Sequence, residues 1–344
     1  MEKEKKKQTD KLAFQSPKGM HDILPQDQSL WDRVRKATKE IADAYNFLRI
    51  DTTLLEDAAL FEHSLGFSSD VVEKEMYALK TKGGDMLALR PEATASVARA
   101  YIEHGLSQLG KPLKLFYIGP MFRHDQPQAG RYRQFHQTGF EILGGDDDSI
   151  YDAQIILVTY RLMESLRLKP LLIKINSIGC RTCRPVYRKR LTDYYKTYDA
   201  TERQTSHERQ TSPGQAKICK DCERRLEVNP LRLLDCKNPV CQMIRKDAPI
   251  SLSSLCSYCK AHFKGVLEYC DELKLPYIID HFLVRGLDYY NRTVFEVFIG
   301  DAAQADQEAL SSGQPTDVPA PKVGLALGGG GRYDYLIELL GGRE

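Results

Sequence analysis

Residues 113–143 read LKLFYIGPMFRHDQPQAGRYRQFHQTGFEIL. Stretches 113–118, leading into Met121-Phe122-Arg123, and 135–143 are strand candidates, and the loop 125–131 between them makes a long hairpin. Upstream, 75–79 and 86–89 flank the polar turn Thr81-Lys82-Gly83-Gly84-Asp85 and form a second hairpin. Such hairpins predict an antiparallel sheet, not a doubly wound parallel one. A helix is predicted at 30–45, where Leu30, Val34, Ala37, Ile41 and Ala44 recur at three- and four-residue spacing; others are predicted at 91–104 and at 152–166, the last apolar enough to pack on the sheet. Stretch 47–55 reads as a strand, and Asp57 opens a short helical segment. Further on, 283–298 reads as a strand and turn pair, 301–322 as a loop, 323–327 as a strand running into four glycines at 328–331, and 333–340 as the start of a helix. The fold class is α+β, an antiparallel sheet flanked by helices.

The chain has 344 residues, enough for about two domains with a hydrophobic core. Its 49 Lys and Arg against 47 Asp and Glu leave +2, with 28% charged and 42% hydrophobic residues and a mean hydropathy of −0.43. This composition excludes disorder throughout and a membrane span. It does not exclude nucleic acid, which needs only a local basic face. The stretch 1–13 is a flexible tail, charged but without a following apolar region, so it is neither a secretory signal nor a transit peptide. It reads as a frayed tail or as a polyanion contact, and the setting is cytoplasmic. There, close cysteine pairs favour metal ligation or plain thiols over disulfides.

Eight of the nine cysteines lie at 180–259, among helices rich in Arg, Lys and Tyr. The expected division is therefore a core at 14–179, an inserted, mainly helical, Cys-rich domain at 180–270, and a second part of the core at 271–344. Cys180-x2-Cys183, Cys219-x2-Cys222, Cys236-x4-Cys241 and Cys256-x2-Cys259 have the arithmetic of two four-cysteine zinc sites. Sequence order suggests that the first pair joins the second and the third the fourth. Interleaved pairing and reduced thiols without metal stay open, and Cys270 reads as a core thiol. Arg181, Arg184, Arg188, Lys189, Arg190, Arg224, Arg225 and Arg232 in this region read as a solvated helical face or as phosphate contacts.

Three separated segments concentrate chemistry. Leu89-Arg90-Pro91-Glu92-Ala93-Thr94 is a strand end meeting a helix start; Glu92 in the first turn suits the helix dipole or an ammonium ligand, and taken alone the segment reads as a helix cap or core edge. The loop around Arg123, Arg131 and Arg133 has a cation density suited to a polyanion. Leu283-Val284-Arg285-Gly286-Leu287-Asp288-Tyr289-Tyr290 pairs with Gly328-Gly329-Gly330-Gly331-Arg332-Tyr333-Asp334, whose glycines imply close backbone approach to a small ligand. No Walker motif, dinucleotide fingerprint or serine-hydrolase elbow is present.

Together with KGMHDILP at 18–25, LRPEAT at 89–94, FRHDQPQAGRYRQFHQ at 122–137, LVRGLDYYNRTVFEV at 283–297 and ALGGGGRYD at 326–334, the chain resembles the histidyl-tRNA synthetases, class II aminoacyl-tRNA synthetases. The resemblance implies a six-stranded antiparallel sheet, a homodimer, and a two-step reaction. Histidine and ATP give histidyl-adenylate and diphosphate, and the histidyl group then passes to tRNA(His), with Mg2+ on the β- and γ-phosphates. It implies that Arg123 holds the α-phosphate and Arg285 is the catalytic cation. Glu92, Thr94, Gln137, Glu141, Tyr289, Tyr290 and Tyr333 would bind histidine; Asp125, Arg131 and Phe135, with Arg123, would bind ATP.

Several positions depart from the family pattern. Ala93 replaces a glycine, Asp125 a glutamate, and Thr53 the motif 1 proline. Family members continue past the end of this sequence into the motif 3 strand and helix and an anticodon-binding domain, so residues 1–344 alone are expected to be impaired. The alternative reading is the synthetase-like regulatory subunit of ATP phosphoribosyltransferase, a group that tends to lose Arg123, Gln137, Arg285, Tyr290 and Tyr333. A pure tRNA-binding module would have no selective histidine pocket.

Overall fold

The computed structural model describes residues 14–127, 130–205, 217–299 and 325–342; the tail 1–13 and the loop 301–322 fall outside them. The 113–143 hairpin forms as expected, with β5 (Leu113–Phe122) antiparallel to β6 (Gln134–Leu143) over ten residue pairs, from Leu113↔Leu143 to Phe122↔Gln134. The short β1 (Leu48–Arg49) adds to β5 in parallel and completes a three-stranded sheet. The second hairpin, β3 (Tyr77–Lys80) and β4 (Met86–Leu89), joins β2 (Leu55–Asp57) in a sheet of order β2-β4-β3. A third sheet has the order β10-β9-β7-β8, from β7 (Leu171–Ser177), β8 (Tyr277–Ile279), β9 (Asn291–Ile299) and β10 (Leu325–Arg332). Six of the seven residues of β7 are buried, the pattern of a strand covered on both faces.

Three expectations are corrected. The described residues form separate sheets, two of them containing a parallel pair, rather than one six-stranded antiparallel sheet. Among these residues β6 and β10 each pair on one side only, and the space between them is a cavity. The strand expected at 47–55 breaks after Arg49, because Arg90 donates to the Thr52 carbonyl at 3.0 Å and Oγ1 at 2.9 Å, taking up the polar groups a ladder would use. The glycines at 328–331 lie inside β10 rather than at a helix entrance. A Cβ at Gly329 would stand 2.5 Å from the Phe295 carbonyl oxygen, and one at Gly331 would stand 2.5 Å from that of Thr293. These glycines therefore admit the neighbouring strand itself.

Helices cover the sheets. The helix α1 (Gln28–Ala44) buries only Ala37, Thr38 and Ala42, and Leu30 is exposed. The next, α2 (Ala58–Leu65), starts at Asp57, whose side chain accepts the Ala59 N–H as an N-cap. Val97 and Tyr101 of α3 (Thr94–Glu103) pack on Leu113, Leu115, Tyr117 and Met121 of β5. In the apolar α4 (Ile150–Ser165), Ile156 and Met163 pack with Ile173, Ile175, Phe295 and Val297 of the third sheet. After β7 the chain builds α5 (Cys183–Thr205), α6 (Lys220–Val228), α7 (Pro239–Arg245) and α8 (Ser257–Glu272) before returning at β8. Tyr187, Leu191, Leu231, Leu233 and Leu234 centre a separate apolar cluster there. A short α9 (Leu336–Leu339) packs Leu336 against the α2–α3 core. No helix among the described residues is long and apolar enough to cross a membrane.

The backbone approach at β10 carries a test. Gly329→Ala is expected to lower the unfolding free energy by about 1–3 kcal/mol, the usual cost of overpacking. Gly286→Ala, where a Cβ meets nothing within 4 Å, is expected to change it by less than about 0.5 kcal/mol. Urea midpoints of the two variants check this, and equal midpoints would refute the steric account.

Candidate active site

The β6–β10 cavity has a volume of about 1110 Å³. Its walls bring together Glu92, Thr94, Arg123, Gln137, Glu141, Arg285, Tyr289, Tyr290 and Tyr333, from five separated parts of the chain. Asp125, Arg131 and Phe135 are not on its wall. The first two pair with each other at 3.2 Å on the hairpin loop, and the Phe135 ring lies 5.4 Å beneath the Arg123 guanidinium.

One end of the cavity is anionic. Glu92 is buried, and its carboxylate accepts the N–H groups of Thr94 at 2.7 Å and Ala95 at 2.9 Å. It therefore precedes α3 and caps it, instead of sitting in the first turn, and the helix begins at Thr94 rather than Pro91. Glu141, on β6, is also buried and accepts from Thr94 Oγ1 at 2.8 Å and from the Tyr333 hydroxyl at 2.5 Å. Burial pushes its carboxyl up to about 7, with the Glu92 charge adding to the rise, although these hydroxyls favour the ionised form. Burial likewise raises Glu92, against the two backbone N–H groups. The Tyr289 hydroxyl donates to Glu92 at 3.3 Å, and its ring stands 4.5 Å from that of Tyr290 and 5.9 Å from that of Tyr333. Two carboxyls among three tyrosines can hold a small cation or a ligand rich in N–H groups.

The remainder of the cavity carries fixed cations. Arg123 donates from Nε to the Pro91 carbonyl at 2.9 Å, which leaves the outer fork for an anion. Arg285 pairs with Glu296 of β9, and its guanidinium lies 5.9 Å from the centre of the Tyr290 ring. The buried Arg285 Nε has no protein partner. A ligand cationic at one end and anionic at the other matches both ends.

The residues missed in the sequence support those that were found. Tyr117 lies buried across Gly139, where a Cβ would stand 2.1 Å from its ring, and it reaches Thr94 and Glu141. Strand alternation places Tyr117 on the inner face, but nothing in the alternation marks it as a pocket residue. Behind the pocket, Arg332 bonds Asp152 at 2.8 Å, Asp334 at 2.5 Å and the His262 ring at 3.3 Å, while Arg292 bonds Asp147 at 3.0 Å. This network, buried except at Asp147, fixes Arg332 and Asp334 on either side of Tyr333 and Arg292 two residues beyond Tyr290.

The eight cysteines form two groups, each with its sulfurs within 4.8 Å of one another. The grouping expected from sequence order is overturned: Cys180 and Cys183 meet Cys256 and Cys259, and Cys219 and Cys222 meet Cys236 and Cys241. The excursion leaves β7 and returns to β8 beside it, so its two ends, and hence the outer pairs, come together. Sulfur separations of 3.7 Å (Cys180–Cys183) and 3.8 Å (Cys219–Cys236) match the edge of about 3.8 Å of a tetrahedron with metal–sulfur bonds of about 2.3 Å. Backbone N–H groups of Cys256 and Cys219 also point at Cys183 and Cys241 sulfurs, at 3.0 and 3.2 Å. Cys270 is a buried core thiol, as expected.

Most of the arginines expected on a phosphate face are engaged within the protein. Arg225 and Arg232 converge on Asp70, Arg224 pairs with Glu73 at 2.5 Å, Arg181 with Glu338 at 2.7 Å, and Arg190 donates to Ser254 at 3.0 Å. Arg188 donates to the Val228 carbonyl at 2.8 Å, and Arg184 to that of Tyr290 at 2.9 Å.

Residues 19–344 match the family described as Histidyl-tRNA synthetase. A histidine–tRNA ligase of Dehalococcoides mccartyi (strain ATCC BAA-2266) is 45% identical over 329 residues, 96% of this chain and 70% of that protein. One from Desulforamulus reducens is 43% identical over 326 residues, 95% of this chain and 69% of that protein. The solved structure of apo S. aureus histidyl-tRNA synthetase superposes with a TM-score of 0.68 at 33% identity, over 96% of this chain and 69% of that one. Similarity on this scale, over nearly the whole sequence, means that the chain belongs to the histidyl-tRNA synthetase family.

Proposed function

We propose that the protein is a cytoplasmic histidine–tRNA ligase and that the β6–β10 cavity is its adenylation site. The observation that carries this reading is the pairing of Glu92 and Glu141, set among tyrosines, with two arginines on one cavity wall. Glu92 receives the α-ammonium beside Thr94, and Glu141, Tyr290 and Tyr333 hold the imidazole. Gln137 lies beside the substrate carboxylate. Such a site rejects isosteres by leaving its own buried polar groups unpaired.

The histidine carboxylate oxygen attacks the ATP α-phosphorus, and the bond to the bridging oxygen breaks, so that electron pair leaves with diphosphate. Charge grows on the equatorial oxygens, where Arg123 and Arg285 stabilise it without losing protons. Mg2+ bound together with ATP would offset the charge of the leaving diphosphate. Arg285 is released from Glu296 when the more strongly charged phosphate competes for it. Phe135 stacks on adenine, with Asp125 at its edge, and Arg131 closes on the phosphates. The terminal adenosine hydroxyl of tRNA(His) then attacks the acyl carbon, and AMP leaves.

The ligase is preferred to the regulatory-subunit reading because Arg123, Gln137, Arg285, Tyr290 and Tyr333 all remain. In this reading residues 180–270 are an inserted domain whose two four-cysteine groups hold structural Zn2+. Homodimer formation is supported by exposed Leu30, Leu48, Leu54, Leu55, Leu79 and Met86 in the first part of the core.

Arg285→Ala is expected to slow single-turnover formation of histidyl-adenylate by a factor on the order of 100–1000, with histidine affinity changed much less. A near-normal rate would remove Arg285 from the chemical step.

The Glu141 carboxyl, at about 7 in the empty pocket, must be ionised to accept N–H groups from the substrate. Histidine affinity is therefore expected to fall as pH drops below 7, by up to about tenfold per unit. Glu141→Gln should weaken binding and remove that component. The imidazole of free histidine titrates identically in both titration series, so the difference between their calorimetric pH profiles isolates Glu141.

Protein purified without chelator is expected to carry zinc at both four-cysteine groups, and Cys222→Ser should lose one equivalent while keeping the other. Elemental analysis giving less than about 0.2 zinc per chain would leave the groups as thiols.

A further inference from the structure

The two cysteine groups differ in what lies beside them. Cys180, Cys183, Cys256 and Cys259 sit where the chain leaves β7, against the loop that presents Tyr289 and Tyr290. That loop has no regular secondary structure at 281–290, so its own ladder cannot fix the tyrosines. It is held from behind by a few bonds, and those on one side converge on the cysteine group. Arg184, the residue after Cys183, donates from one nitrogen to the carbonyls of Tyr290 at 2.9 Å and Asp288 at 3.5 Å. Its own backbone N–H is tied to the Cys180 carbonyl at 3.0 Å. Gly179, before Cys180, accepts the Arg292 N–H at 3.0 Å, and Ile178 donates to the Arg292 carbonyl at 2.8 Å. Gly179 has φ +75°, and a Cβ there would stand 2.6 Å from Cys183 Cβ, so the cysteine turn lies tightly on this junction. Tyr290 and Arg292 are thus each bonded to a residue next to a cysteine ligand.

We propose that the Cys180/Cys183/Cys256/Cys259 group and Arg184 form a clasp behind the tyrosine loop, so that Zn2+ held there sets the affinity for the amino acid. Arg184 is a positioning residue: it acts on the ligand through the Tyr290 backbone. Without metal, four sulfurs within 4.8 Å of one another lose their common partner, and any thiolates among them repel. The turn carrying Arg184 then loosens, and the tyrosines lose their preset geometry, which must be restored when ligand binds. The proposal rests on reading the cavity as a histidine site.

The test is calorimetric titration of the full chain with L-histidine, alongside zinc content and circular dichroism. Arg184→Met is expected to keep both zinc ions and the native spectrum yet weaken histidine binding about tenfold, the loss of one charged hydrogen-bond donor. Arg184→Lys, able to reach one carbonyl, should recover part of the loss. Cys256→Ser is expected to lose one zinc and weaken histidine binding at least as much, and Cys256→His, which can still ligate, to restore both. Unchanged affinity in Arg184→Met, or in Cys256→Ser depleted of zinc, would overturn the clasp. So would a loss of affinity in Arg184→Met that tracks a loss of helical signal. If the parent protein fails to bind histidine, the pocket reading itself falls.

Discussion

Burying Glu92 and Glu141 in one cavity is the constraint from which much of the arrangement follows. A carboxylate removed from water costs several kcal/mol unless it is hydrogen-bonded; Glu92 is answered by the N–H groups that immediately follow it, and Glu141 by hydroxyls from distant parts of the chain. Glu92 takes the free N–H groups of α3, so that helix must start at Thr94. Glu141 takes hydroxyls from Thr94 and from Tyr333, which ties β6, α3 and the end of β10 together. The raised Glu141 pKa shows that this compensation is incomplete without ligand. A substrate bearing N–H donors would complete it, and binding energy would thereby be concentrated on those groups.

The sheet hairpins and α4 were legible in the sequence, because alternation and polar turns are local signals; the pocket positions came from the family motifs, and Glu92, Thr94, Arg123, Gln137, Glu141, Arg285, Tyr289, Tyr290 and Tyr333 line one cavity while Asp125, Arg131 and Phe135 do not. The 113–143 hairpin needs only its own pattern and its loop. Stretch 47–55 misleads because its continuity as a strand is decided by Arg90, 38 residues beyond Thr52. The β10 glycines mislead for a related reason. Four glycines ahead of a helix read as close backbone approach to a small ligand, and only the carbonyls of Phe295 and Thr293 reveal that they are spaced for a neighbouring strand. Tyr117 and the Arg332–Asp152–His262 network were illegible because their partners lie on other elements.

Charge shows the same limit. The arginines from Arg181 to Arg232 resemble a phosphate-binding face when read in a row, since sequence gives their number and not their direction. In the fold, Arg224, Arg225 and Arg232 lie between Cys219 and Cys236 of one cysteine group and pair with Glu73 and Asp70 of the core. Their first task is to dock the helical region, and two arginines on one partly buried carboxylate hold Asp70 below the usual carboxylate range even though burial opposes this.

The nesting of the cysteine pairs follows from topology more than from chemistry. An excursion that leaves β7 and re-enters at the adjacent, parallel β8 must bring its first and last segments together, so the outer pairs close its neck and the inner pairs its interior. The neck is also where β7 pairs with β9, and β9 continues from the tyrosine loop. A metal held at the neck would therefore act on the boundary between the helical region and the pocket, whereas one in the interior would act on the arginines that face Asp70 and Glu73. The same set of four cysteines, placed at two depths of one excursion, lies beside two different contacts with the core.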